Sequence, residues 1–473
     1  MTERNRLLRA ARERLPSRRS LGDRLSRAEL AEQVNAWLWE QTGRRFGLDI
    51  HLVAKWERGK VRYPTSPYRS ALRAILGTDT DAELGFIPPV RQQPSAAPDK
   101  PDERVWTRTG ILDDATAAVE VDVLNRRNAL QVAAIGGASL LGPLAQWLEP
   151  LAEGPLSDRS GAFAVAEVEA VEHLVASLPS SQDIGLIEHR CSAEFSLGRT
   201  AVVGQLADLS DRLRGAPDGP LTDRVFLAAA ELASVAGWMA FDSGAHRVAQ
   251  QHYVTAVRMA KAGGNSPFGA FALFLLARVS FELGAPDDGL EIVHLAQRGT
   301  RDTATPGLRS LLAARETWGH GQRGNAHAFA RAADSAQQAH LDSEPSGEPR
   351  WLHGHDAANL AGALGASHRD LALHDPRQAH HAVNYLGRAL VLRDPSRAQI
   401  RALNSVSLSR VHLLAREPEL SAVAVRSVLP LIGPRRPGLL GRKLADWHRE
   451  SAPFAAVPEV QDMREQTREL VTA

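Results

Sequence analysis

The densest run of side chains able to recognise another molecule lies between Arg44 and Tyr63. At about 100° per helical residue, with Ile50 at zero, Ala54 falls at about 40°, Arg58 at about 80°, His51 at about 100° and Lys55 at about 140°. Leu52, Val53 and Trp56 fall together between about 200° and 300°. A short rod is therefore expected, with one oily side and a narrow ridge of small, imidazole and cationic groups. That ridge has the width and donor set of a helix entering a DNA major groove, with Ile50, His51, Ala54 and Lys55 at base edges. Arg58, Lys60 and Arg62, with Tyr63, follow where a helix end would cross the phosphate backbone, and Arg44 and Arg45 precede the rod on its other side. Any one of these cations is ordinary surface charge; their bracketing of a single short helix is what points to DNA phosphates.

Three further helical patterns surround the rod. Leu7, Leu8, Ala11 and Leu15 form a stripe over residues 2–15 that Pro16 stops. In Leu25-Ser26-Arg27-Ala28-Glu29-Leu30, Ser26 and Glu29 have capping-box spacing and Leu25 can staple to Leu30, so a helix opens there and runs to Gly43. Asp49 caps the rod, Leu48 is placed to meet Val53, and Gly59 ends it. Ser66-Pro67 starts a last helix that carries Tyr68, Ala71, Leu72, Ile75 and Leu76 inward and stops at Gly77.

The near-neutral total of 56 basic and 55 acidic residues conceals a division. Residues 1–73 hold seventeen Lys/Arg and eight Asp/Glu, a net charge of +9; the remaining 400 residues carry −8. A basic head suited to a polyanion precedes an acidic body that is not. Residues 88–101 contain five prolines with Gln, Ser and Ala, the composition of a linker. Beyond them Leu, Ala, Val and Arg recur at helical spacing with no alternating strand. Gly244, Ala249, Tyr253 and Ala256 return forty residues later as Gly284, Gly289, Val293 and Ala296, with looser echoes at Ala379, Val383, Leu386 and at Ala422, Arg426, Leu429. Such a period is that of stacked helical hairpins, an irregular helical bundle being the alternative.

At these residues the chain resembles the phage-repressor-like helix-turn-helix regulators, the xenobiotic-response-element family. The resemblance rests on Ser26-Arg27-Ala28-Glu29-Leu30-Ala31, on Val53-Ala54-Lys55-Trp56-Glu57-Arg58-Gly59-Lys60, and on Pro64 with the helix to Leu76. It implies that the second segment is the recognition helix and that Trp56 and Glu57 are structural. Residues 43–48 make the connection between the two helices longer than is usual for this motif. The body resembles the tetratricopeptide-like C-terminal region of actinobacterial members, above all from Ala379 to Trp447 with Arg388-Ala389-Leu390 and Arg393-Asp394.

Several other patterns carry less. Residues 128–148 lack charge and follow Arg126-Arg127, but Gln131, Gln146, Pro143 and three glycines weaken a membrane span, and a buried helical hairpin is expected. Gly319-His320-Gly321-Gln322-Arg323-Gly324 matches a dinucleotide fingerprint in letters only and is expected in a loop; Gly433 to Gly438 has phosphate-loop spacing with Leu439 in place of the lysine. His353, His355, His374, His380 and His381 lack a metal-binding helical pattern, and Cys191, the only cysteine, suits a small core residue in a reducing compartment. Nothing at the N-terminus has the pattern of a secretory signal, and the expected location is the cytoplasm.

The expectation is thus an all-α chain: a helix-turn-helix DNA-binding domain over residues 1–87, a Pro-rich linker over 88–104, a helical connecting region over 105–220, an α-solenoid of tetratricopeptide-like hairpins over 221–450, and a tail over 451–473. The expected partners are double-stranded DNA, a second copy of the chain as a homodimer, and a peptide, small-molecule or protein effector on the solenoid; a membrane is not expected. No cofactor, metal or catalytic step is expected. The rival readings are a protein-interaction scaffold whose head does not bind DNA, an enzyme hidden in the body, and a regulator tethered to a membrane.

Overall fold

The computed structural model describes residues 5–17, 19, 23–42, 47–58, 64, 66–78, 83–86, 106–128, 134–151, 162–178, 192–431 and 438–472. Among these the architecture is all-helical, apart from an isolated antiparallel bridge between Pro16 and Arg24. The chain divides into two units, residues 1–100 and 101–473.

In the first unit the expected elements form where their caps place them: α1 (Arg6–Glu13), α2 (Arg27–Thr42), α3 (Ile50–Glu57) and α4 (Ser66–Leu76). Their apolar stripes meet in one core built around Leu8, Leu30, Val34, Val53, Trp56 and Leu72. The capping box closes as its spacing requires, Ser26 N donating to Glu29 Oε2 at 2.9 Å and Glu29 N to Ser26 Oγ at 3.2 Å.

The second unit opens with α5 (Arg108–Asn128), α6 (Ala138–Leu144), α7 (Val165–Ser177) and α8 (Ser192–Arg214). Residues 105–220, expected to connect, instead belong to the body: Trp106, Leu144, Trp147 and Leu206 share one core with the helices that follow. Asp122 on α5 is fully buried, and Arg199 on α8 lies 2.8 Å from it. The hairpin expected at 128–148 is also corrected. Residues 134–136 belong to neither helix nor strand; the Gln250 amide holds the Ile135 backbone (2.9 and 2.7 Å), and Asp288 accepts from the Gly137 amide (2.7 Å). Helix α6 and a 3-10 turn follow, so no single helix runs through that segment. Among the described residues, the helix long and apolar enough to cross a membrane by length and composition is α9 (Pro220–Asp242), most of which is buried within the body.

From α9 onward helices pair in sequence: α9 with α10 (His246–Ala262), α11 (Ser266–Glu282) with α12 (Pro286–Gly299), α13 (Pro306–Gln322) with α14 (Ala326–Leu341). Then come α15 (Ala357–Ala372) with α16 (Ala379–Leu392), α17 (Ala398–Leu414) with α18 (Pro418–Arg426), and α19 (Gly438–Glu450) with α20 (Pro458–Thr472). Each odd-numbered helix also lies against the next odd-numbered one. Residues 451–473, expected to be a tail, contain α20, which buries Val460 and Met463 against α18 and α19. The start of α19 returns to the first pair, Leu439 N donating to Asp242 Oδ1 at 3.1 Å and Arg442 to the Asp242 and Phe241 carbonyls at 2.7 and 3.0 Å.

Several turns between consecutive helices share one device. Gly244, Gly264, Gly284 and Gly324 have φ between 66° and 80°, and in each case the next amide reaches back five residues, as Ala285 N does to Ser280 O at 2.9 Å. This left-handed closure satisfies orphan helix carbonyls and favours glycine. Between α17 and α18 the same turn, Glu417 N to His412 O at 2.8 Å, is made with Arg416 at φ 60°. A Cβ on Gly284 would meet nothing within 4 Å, so only backbone strain opposes one there. Gly284→Ala is therefore expected to destabilise the body by about 1 kcal/mol and Arg416→Gly to stabilise it by a similar amount. Denaturant unfolding checks both, and equal signs for the two would refute the assignment.

Candidate nucleic-acid interface

The rod α3 is fixed at both ends. Asp49 caps it, its side chain accepting from Leu52 N at 2.7 Å. One residue earlier, Asn35 on α2 grips the backbone of Leu48 in both directions, donating to its carbonyl at 2.9 Å and accepting from its amide at 3.0 Å. The clamp sets where the connection from α2 delivers the chain to α3. On the underside Val53 and Trp56 are buried, and the Trp56 indole meets the rings of Tyr68 at 5.5 Å and Phe86 at 6.5 Å between centroids.

At its C-terminal end Glu57 is buried and bonded twice, accepting from Arg12 Nε on α1 at 2.8 Å and from Arg27 Nε at the start of α2 at 2.6 Å. Arg12 Nη1 also donates to the Leu25 carbonyl at 2.5 Å, and Asn5 N to the Glu57 carbonyl at 3.0 Å. A carboxylate shut away from water demands such partners, and here they tie the first three helices to one group. Glu29, inside the capping box, also accepts from the Ser17 hydroxyl and the Arg19 amide. The Ser26 amide first, then the Ser17 and Ser26 hydroxyls, hold its carboxyl down at about 2.

With that side occupied, the opposite side faces solvent. Ile50 is 46 % exposed despite being apolar, His51, Lys55 and Arg58 are exposed, and Ala54 is half-buried at the edge of the ridge. No carboxylate among the described residues pairs with Lys55 or Arg58. The ridge therefore presents a methyl group, an imidazole, an ammonium and a guanidinium together on one side of one rigid helix. Arg44, Arg45, Lys60 and Arg62 lie outside the described residues, as do Tyr63, the whole linker and Cys191.

Asn5, Arg12, Arg27 and Asn35 were missed by motif reading. Arg12 carried a signal: positions 8, 11, 12 and 15 form one helical face, so a charge at 12 falls on the buried stripe of α1. Glu57 stands in the same relation to Val53 and Trp56. Two opposite charges on buried stripes are candidates to meet. Asn35 carried no such signal, because a side-chain clamp on a distant backbone has no spacing.

Elsewhere the sequence patterns resolve into structural roles. Gly319 and Gly321 lie within α13 rather than in the expected loop, and Gly324 is the turn after it. His355 is buried against Ser310 Oγ at 2.9 Å and pushed down to about 3 by desolvation; His353 and His374 donate to the Glu348 and Gln322 carbonyls, each at 3.0 Å. Comparison of the chain with family models, with curated proteins and with solved structures finds no match in any of the three.

Glu57→Leu leaves the buried Arg12 with the Leu25 carbonyl and the partly exposed Glu13 as acceptors, and is expected to destabilise the head by about 3–5 kcal/mol. Arg27→Ala should cost only about 1 kcal/mol, because its side chain is 40 % exposed. Hydrogen-exchange protection of the α3 amides in the full-length chain measures both, and equal losses would refute the ranking. A second expectation concerns acid. Because Glu29 is held below its ordinary value of 4.5, its contribution is complete above that pH and is lost as pH falls towards 2. Glu29→Gln should flatten this part of the head's pH–stability profile; an unchanged slope between pH 4.5 and 2 would contradict it.

Proposed function

We propose that the chain is a sequence-specific transcriptional regulator that binds double-stranded DNA through a helix-turn-helix head, with α2 and α3 as the paired helices and α3 in the major groove. The observation that carries this reading is the exposed crest of α3 on a helix whose other side is buried and ion-paired. Ile50, His51, Ala54 and Lys55 read base edges, with Arg58 at the backbone; Arg44, Arg45, Lys60 and Arg62 add phosphate contacts from the flanking segments. The +9 charge of residues 1–73 supplies the sequence-independent part of the affinity by releasing counterions.

The body acts as a tetratricopeptide-like α-solenoid that takes an effector or partner and joins two chains. The pairing of successive helices, together with contacts along the odd-numbered row, supports that assignment. A two-fold dimer places the heads on half-sites about one helical turn, roughly 34–36 Å, apart. The regulator works in the cytoplasm, without catalysis or cofactor.

Selection of bound duplexes from a random pool by the full-length protein at two salt concentrations tests the proposal. Lys55→Ala is expected to change the preferred sequence at a cost of about 1–3 kcal/mol. Lys60→Ala should weaken all sequences alike and lower the salt slope by about 1. Equal loss on every duplex for both variants would overturn the groove assignment, and salt-independent or absent binding would overturn DNA recognition itself.

A further inference from the structure

Two arginines on consecutive odd-numbered helices of the body form no ion pair with a carboxylate among the described residues. Arg278 stands on α11 one helical turn after Phe274, with its guanidinium 4.7 Å from the centroid of the Phe241 ring. Arg315 on α13 places its guanidinium 3.9 Å from the centroid of Phe274 and 5.4 Å from that of Trp318. Phe274 thus carries one cation on its face and has the other beside it on its own helix, since residues four apart are neighbours on a helix surface. Both side chains are half-buried, and Arg315 Nε is shut from solvent with no acceptor.

Neither guanidinium meets a carboxylate within ion-pair distance among the described residues, and the nearby acids are engaged elsewhere. Glu282 accepts from Lys443 Nζ at 2.6 Å, Asp370 Oδ2 from Trp318 Nε1 at 2.7 Å with Arg369 on its other oxygen, and Asp242 Oδ1 from the Leu439 amide at 3.1 Å. Tyr253, which is buried nearby, is pushed up by desolvation and stays a neutral hydroxyl. Burial, and then the like charge of Arg278, pull Arg315 down to about 9.

Glu282, bonded to Lys443, attracts both guanidiniums without bonding either, and the half-buried positive charge left over costs the fold stability. Ring stacking occupies only the faces of a guanidinium and leaves its in-plane N–H groups free to grip an oxyanion in bidentate fashion. We propose that Arg278 and Arg315 form a binding site for the oxyanion group of a small ligand, a phosphate monoester or a carboxylate. The site belongs to the body alone, and its failure would leave DNA recognition by the head untouched.

The test is isothermal titration and thermal unfolding of the full-length protein with inorganic phosphate and with succinate, each against sodium chloride at equal ionic strength. Saturable binding with a rise in melting temperature is expected for wild type. Arg315→Gln and Arg278→Gln should each bind about tenfold more weakly while retaining native circular dichroism. Arg278→Lys, which keeps the charge and loses the fork, is expected to weaken binding too and serves where a Gln variant fails to fold. Phosphate bound in preference to succinate assigns the phosphate source, and the reverse assigns the carboxylate. No saturable binding of either anion by wild type, or binding undiminished in the folded variants, would overturn the proposal.

Discussion

The buried carboxylate of Glu57 is the constraint around which the head is organised. Two guanidiniums from different helices converge on it, and the backbone of Glu57 is tied in turn to Asn5. A charge in that position tolerates no slack, because losing a partner leaves it desolvated and unpaired. The angle at which α3 meets α1 and α2 is therefore set by ion-pair geometry as well as by Val53 and Trp56. The exposed crest follows from this: once Glu57, Val53 and Trp56 are committed inward, the helical period turns His51, Lys55 and Arg58 outward.

Ionic groups in the body fall into two kinds. Asp122 with Arg199 and His252, and Glu282 with Lys443, are matched pairs that join helices far apart in sequence. Arg278 and Arg315 are matched to rings instead of acids. An aromatic face attracts a cation without neutralising it. The first kind contributes to the fold's own geometry, whereas the second leaves charge available to something outside it.

The succession of helix pairs rests on a cheaper device than ion pairing. A left-handed residue at the end of a helix reverses the chain in few residues while satisfying its last carbonyls. Its recurrence at Gly244, Gly264, Gly284 and Gly324 accounts for the sequence period, and its use of Arg416 accounts for why the later copies are hard to see. A repeat defined by backbone conformation persists where its side-chain signature has gone.

Caps, stripes and breakers were readable along the chain because each acts within a turn or two of helix. Ser26 with Glu29, Asp49, and the spacing of Val53 and Trp56 located two of the head's helices, α2 and α3, and the inward side of α3; the composition of the body determined an all-helical fold. Tertiary structure alone decided that Arg12 and Arg27 meet at Glu57, that Asn35 holds Leu48, that Gln250 and Asp288 hold the backbone at Ile135 and Gly137, and that α19 returns to α9. Those contacts join residues from 13 to about 200 positions apart. Local spacing marks Arg12 and Glu57 as charges on buried stripes but fixes none of these pairings; they arise only when competing buried surfaces and polar groups are satisfied together in three dimensions.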